Sequence, residues 1–184
     1  MTSKGMPIAS QGKNASDTPA SRTPKLARMT LATRRATGAD LDALVPLFDG
    51  YRQFYGQPSD PARARDFLQA RLDTADGQPG AIAFLATLDG APAGFTLLYP
   101  MWSSVATGRI FVLNDLFVAP AARRQGVAQA LLAAAREFGR EHGALRLVLE
   151  TTRDNLVAQA LYHRAGWQAE PTQWFQLPLP DWTT

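Results

Sequence analysis

The sequence predicts a single α/β domain built on one mixed, mostly antiparallel sheet flanked by about four helices. Three observations predict it. Apolar β-type runs and helical-period segments follow one another in the order β-α-α-β-β-β-α-β-α-β from about residue 30 onward. Asp89-Gly90 joins two of the runs as a two-residue hairpin turn. An apolar run ending at Pro120 feeds a short basic loop directly into an amphipathic helix. With 184 residues, 46% hydrophobic and 19% charged, the chain can bury one sizeable core.

Each element has a local cause. Leu31–Ala36 reads as a first strand. Thr37 then caps a helix, with Asp40 as its capping-box partner. Leu41, Leu44, Val45, Phe48, Tyr51 and Tyr55 follow at helical spacing, and Pro46 inside that pattern is expected to kink or divide it. Ser59-Asp60-Pro61 starts a second helix, with Phe67, Leu68 and Leu72 facing inward. Gly77-Gln78-Pro79-Gly80 breaks the chain. Ala81–Ala86, Ala93–Tyr99 and Arg109–Val118 form a three-stranded antiparallel run, and Gln129–Phe138 is helical. Ala144–Glu150 reads as a buried strand, a short helix carries Ala160 and Tyr162, and Trp167–Leu179 is expected to supply one or two further strands.

Composition excludes several classes. The absence of cysteine removes disulfides, a cysteine nucleophile and thiolate metal sites. His142 and His163 have no metal-ligand spacing and read as helix-surface residues, so no metal is expected. No apolar run reaches the ~18 residues of a membrane span, and a cytoplasmic location is expected. The formal charge of +3 is uneven. Lys4, Lys13, Arg22, Lys25 and Arg28 face Asp17 alone in residues 1–28, which leaves the remainder near neutral. A nucleic-acid-binding domain would carry a clustered basic face instead. Residues 1–28 are therefore expected to be a disordered basic tail, and residues 29–184 the domain. A transit peptide, or an extension ahead of a start at Met29, are alternatives for the tail.

The most informative stretch is Asn114 to Ala128. A helix N-terminus leaves its first amides without partners and favours negative charge. Gly126 lets a ligand approach the backbone closely, and Ala128 keeps the next turn narrow. A pyrophosphate fits such a site. The G-x-x-x-x-G-K-[ST] loop of nucleoside triphosphatases and the dinucleotide G-x-G-x-x-G are both absent.

What stands here, Arg123-x-x-Gly126-x-Ala128, resembles the [QR]-x-x-G-x-[GA] loop of the GNAT superfamily of acyl-CoA-dependent N-acetyltransferases. Downstream, Asn155 and Ala160-Leu161-Tyr162-His163-Arg164-Ala165-Gly166-Trp167 resemble the superfamily's second signature, N-x(4)-A-x-x-[FL]-Y-x-x-x-G-[FW], with the departure that Tyr162 lies two rather than four positions beyond the Ala. The resemblance covers about residues 30–178. It implies a sheet whose two central strands splay apart, with acetyl-CoA as cosubstrate. The pantetheine arm would pair with the backbone of Leu116, Phe117 and Val118, and the pyrophosphate would meet the amides of Arg124, Gln125, Gly126, Val127, Ala128 and Gln129. Arg123 and Arg124 would add charge-assisted bonds, or be solvated charge at a helix start. Asn155 aligns with a cofactor-touching residue of the family and is equally an N-cap.

The implied reaction is attack of a neutral amine on a thioester carbonyl. Tyr162 is the candidate general acid, since a phenol with pKa ≈ 10 can give a proton to a departing thiolate of pKa ≈ 8.5. Many members of the family carry Glu immediately before the Asp of the pre-loop strand. Here that position is Asn114, which cannot accept a proton. Asp115 is the nearest carboxylate, acting directly or through water, and Glu150 is the second candidate. Tyr51, Phe54, Tyr55 and Trp102 are aromatic candidates for the acceptor pocket, with core packing as the alternative for the two tyrosines. Together with Asn114–Val118 the Tyr51–Tyr55 segment resembles a branch linked to histone, polyamine and D-amino-acid acetylation, and aromatic faces beside a carboxylate suit an ammonium-bearing acceptor. The resemblance thus implies a small-molecule or peptide amine as the expected acceptor. A non-catalytic acyl-CoA sensor is the competing reading. Trp174, Phe175 and Trp182 would serve a homodimer interface or complete the core.

Overall fold

The computed structural model describes residues 29–72 and 80–179. The basic tail, the Gly77-Gln78-Pro79 break and Trp182 lie outside the described residues. Among the described residues, five strands form one sheet in the order β1 (Leu31–Ala36), β2 (Ile82–Leu88), β3 (Ala91–Ser103), β4 (Gly108–Val118) and β5 (Leu147–Val148). The first four pair antiparallel, and β5 joins β4 in parallel.

Alternation along the strands builds two cores. Ala83, Leu85, Phe95, Leu97 and Phe117 face α1 (Leu41–Phe54) and α2 (Pro61–Leu72). Ile82, Phe84, Leu98, Phe111 and Leu113 face α3 (Val127–Glu141), which contributes Val127, Leu131, Leu132, Ala135 and Phe138. Buried on both faces, β2 reads as a continuous apolar run rather than an alternating one. Asp89 and Gly90 both take positive φ, 48° and 83°, the backbone of a type I′ turn.

The helix starts follow their local chemistry. The Asp40 carboxylate accepts the Thr37 amide at 2.9 Å, within a short 3-10 turn ahead of α1. Asp60 caps α2 by accepting the Arg63 amide at 2.9 Å. Pro46 does not divide α1. The acceptor it deprives is the carbonyl of Asp42, and both residues are exposed, so water can satisfy that group.

Two expectations at the carboxyl end are corrected. The strand expected over Ala144–Glu150 is reduced to Leu147–Val148, and both residues are only half-buried. No strand forms within Trp167–Leu179, and Trp174, Phe175, Leu177 and Leu179 are exposed. Trp174 and Phe175 therefore do not complete the core. The two corrections share a cause: a two-residue β5 offers almost no ladder to extend, and Pro171 and Pro178 carry no amide donor. A short α4 (Leu156–Arg164) follows β5 and packs Leu161 and Tyr162 beside the α3 core.

Candidate active site

The loop into α3 is shaped by two left-handed residues, Arg124 at φ 63° and Gly126 at φ 82°. Such turns allow successive amides to converge on an anion. The Arg123 amide donates to the Pro120 carbonyl at 3.4 Å, and the next donating amide is that of Ala130, to Gly126 at 3.0 Å. Among the described residues, no amide from Arg124 to Gln129 has a protein acceptor. The first turn of α3 holds no acidic side chain to neutralise its dipole. A Cβ built on Gly126 would find nothing nearer than the Leu31 side chain at 3.7 Å, so the approach is open. The donor set suits a diphosphate. Arg123 donates through Nε to the Val118 carbonyl at 3.3 Å, which leaves its two Nη groups without a partner among the described residues, and Gln125 donates through Nε2 to the Ala121 carbonyl at 2.9 Å. Arg124 is exposed, with no side-chain hydrogen bond among the described residues.

Beside this loop the sheet opens. β4 and β5 pair only at Phe111 with Leu147 and at Val112 with Val148. Among the described residues, no strand flanks β4 on that side from Leu113 to Val118. The cause lies on β4 itself. Leu98 pairs with Leu113 and Leu97 with Asp115, so Asn114 is the extra residue of a β-bulge and is exposed. A bulge bends its strand, increases local twist and re-aims side chains. Here it turns Asp115 toward α1 and α2, whereas Leu113 faces α3. The fully buried Thr96 hydroxyl donates to the Asp115 carbonyl at 2.7 Å and satisfies that backbone group.

Asp115 is 4% exposed. Burial raises its carboxyl pKa, opposed by hydrogen bonding from Tyr51 and from the Asn114 amide, 3.2 Å away. The Tyr51 phenol is pushed far above its ordinary value by burial first and by the Asp115 charge second. Tyr99 is raised for the same two reasons in the same order. Tyr51 stands edge-on to Tyr55, with ring centroids 5.1 Å apart, and packs on Phe95 and Phe117. On α4, burial and the nearby Tyr55 phenol raise Tyr162. One buried carboxylate and four tyrosines thus come together where β4 leaves β5. A cavity of about 880 Å³ adjoins this point through Tyr162 and Gln129, and runs between α3, β5 and α4. Neither Asp115 nor Gly126 lines it, so it flanks the gap.

The sequence profile of the Acetyltransferase (GNAT) family matches residues 44–167, which spans both the loop and α4. The chain belongs to that family. This acetyltransferase is 42% identical over 137 residues to the uncharacterized N-acetyltransferase YhfO of Bacillus subtilis (strain 168), covering 74% of this chain and 89% of that one. The crystal structure of a probable acetyltransferase superposes with a TM-score of 0.74 at 39% identity, over 82% of this chain and 99% of that one. An aminoglycoside N-acetyltransferase, AAC(6')-Iy, solved in complex with CoA, shares the fold with a TM-score of 0.66 at 21% identity, over 82% of this chain and 95% of that one.

The acetyltransferase fold brings Tyr51, Tyr55, Asp115 and Tyr162 together, with Leu116, Phe117 and Val118 along the open edge of β4. It does not bring Trp102 to them. Trp102 pairs opposite Arg109, whose guanidinium lies 5.3 Å from its ring centroid. It lies five positions along β3 from Leu97, the partner of Asp115, which is about 16 Å. Asn155 caps α4, accepting the Ala158 amide at 3.2 Å while its Nδ2 donates to the Thr151 hydroxyl at 3.3 Å. Glu150 is exposed on the cavity wall. Tyr99 was not singled out from the sequence. Strand alternation does put Phe95, Leu97 and Tyr99 on one face, but only the β3–β4 register reveals Asp115 beside them. Among the described residues, no three His, Asp or Glu side chains are grouped to hold a metal, and no helix is long and apolar enough to cross a membrane.

Proposed function

We propose that this acetyltransferase acts in the cytoplasm and transfers an acetyl group from acetyl-CoA to a primary amine of a small molecule or peptide, by direct attack in a ternary complex. The observation that carries the reading is the buried Asp115 among tyrosines at the point where β4 and β5 part. A cationic amine fits a site that offers one carboxylate and aromatic faces.

Acetyl-CoA supplies the activated acetyl thioester. The amides from Arg124 to Gln129 hold its diphosphate, assisted by Arg124, and the open edge of β4 at Leu116–Val118 aligns its pantetheine arm. Asp115, raised by burial, accepts the proton that the ammonium acceptor must lose before attack. As the C–N bond forms and the C–S bond breaks, the Tyr162 hydroxyl protonates the departing thiolate, and the second proton lost by the new amide nitrogen restores the phenol. With no cysteine in the chain, the most reactive nucleophile for an acyl-enzyme route is missing. The test is thiol release from acetyl-CoA against polyamines, D- and L-amino acids, aminoglycosides and basic peptides. The reading expects turnover with at least one amine and intersecting rather than parallel double-reciprocal lines. CoA binding without turnover on any amine favours an acyl-CoA sensor instead.

A further inference from the structure

The carboxylate of Asp49 is 5% exposed yet lies outside the catalytic cluster. It accepts from Gln53 Nε2 at 2.9 Å, from the Ser59 hydroxyl at 2.7 Å and from the Asp60 amide at 2.8 Å, with Arg52 Nη1 at 3.5 Å. A buried carboxylate is retained only where donors surround it, because its desolvation is costly. Two of these donors, Ser59 and the Asp60 amide, come from the far end of the α1–α2 connection. The near end is fixed as well. Gly56 takes φ 80°, its amide donates to the Gln53 carbonyl at 3.0 Å, and the Gln57 amide donates to Arg52 at 3.0 Å. That pair of bonds is a Schellman closure of α1. Both ends of the connection are therefore pinned, although Phe54 and Tyr55 are 62% and 60% exposed. Tyr55 is the residue this connection presents to Tyr51 and Tyr162.

We infer that Asp49 is a positioning residue for acceptor binding, a clasp that holds the 55–60 connection rigid and thereby sets Tyr55 as one wall of the acceptor site. Asp49 touches neither substrate nor the reacting atoms. It acts through Ser59 and the Asp60 amide. The inference rests on the amine-acetyltransferase reading, and its test is chosen so that the two can fail separately. Asp49→Asn and Ser59→Ala are made in the full chain and assayed with the best amine acceptor. A role confined to acceptor binding predicts a KM for the amine raised about tenfold in Asp49→Asn and about threefold in Ser59→Ala, with kcat and the KM for acetyl-CoA within about twofold of wild type. Amide hydrogen exchange over residues 55–60 is expected to rise about tenfold in Asp49→Asn, without a comparable rise in β2 and β3. An unchanged amine KM, equal losses for both substrates, or unchanged exchange over 55–60 would overturn the clasp. Absence of turnover by the wild-type protein on every amine contradicts the transferase reading alone, because the exchange measurement reads the clasp without catalysis. Ser59→Ala removes a single neutral hydroxyl, so it decides the question even where Asp49→Asn folds poorly.

Discussion

In the proposed mechanism Tyr162 and Asp115 divide the proton traffic, and their surroundings suit the division. Both are raised by burial, which keeps Tyr162 protonated as a donor and moves Asp115 toward the pH at which a base is effective. Tyr162→Phe is expected to lower kcat about a hundredfold or more with little change in CoA affinity, read by steady-state kinetics and calorimetry. Turnover equal to wild type would remove Tyr162 from the mechanism. Asp115 gives a signed pH expectation. Its folded pKa lies above its unfolded value, so the protonated form stabilises the fold at low pH, and that contribution is lost as pH rises through the raised value. The proposed mechanism needs the ionised form, so kcat/KM should climb with pH through the same range. Asp115→Asn is expected to abolish that limb of the profile while leaving the fold more resistant to urea at neutral pH. A mutant that keeps the limb assigns the proton to another acceptor.

Among the elements, the β4 bulge and the start of α3 make the proposed site. Gly126 is left-handed at φ 82° on an open approach, so Gly126→Glu adds backbone strain and a like charge where the diphosphate would sit. Loss of CoA binding with a retained far-ultraviolet circular dichroism spectrum is the expected outcome, and undiminished affinity would move the phosphates elsewhere. Asn155→Ala is expected to cost about 1 kcal/mol in urea denaturation through loss of the α4 cap. A larger loss of CoA affinity than of stability would instead favour direct contact with the cofactor. Local signals made much of this legible from residues alone. Asp89-Gly90 dictated its hairpin, Asp60-Pro61 its helix start, and Arg123-x-x-Gly126-x-Ala128 its strand-loop-helix. Asn114 could be seen as a departure from the family's Glu but not as a bulge, because a bulge is a property of the pairing of two strands. The length of β5 was illegible for the same reason: Ala144–Glu150 is apolar enough for a strand, but pairing ends where the bulged partner turns away.

Across the whole molecule, two cores on opposite faces of one sheet hold the α1–α2 side and the α3 side in fixed relation, and the site lies where β4 passes between them. Charge pairs add a pH limit to that arrangement. The bond from Arg34 holds the Asp40 carboxyl down at about 2, and the Ser59 and Asp60 donors hold Asp49 below its ordinary value. A depressed carboxyl contributes stability above its unfolded pKa, and loses it as pH falls through the folded one. Urea midpoints should therefore fall between about pH 4 and pH 2, and Asp40→Asn should flatten that decline. A decline identical to wild type would place the acid-labile groups elsewhere. The central claim is that free amides at the head of α3, beside a sheet held open by the Asn114 bulge, bind the diphosphate of acetyl-CoA. Its most direct test is a crystal structure of the protein with CoA. The expected result is the diphosphate against the amides of Arg124–Gln129 and the pantetheine arm along Leu116–Val118. A diphosphate bound anywhere else, or β4 and β5 paired beyond Val112, would contradict it.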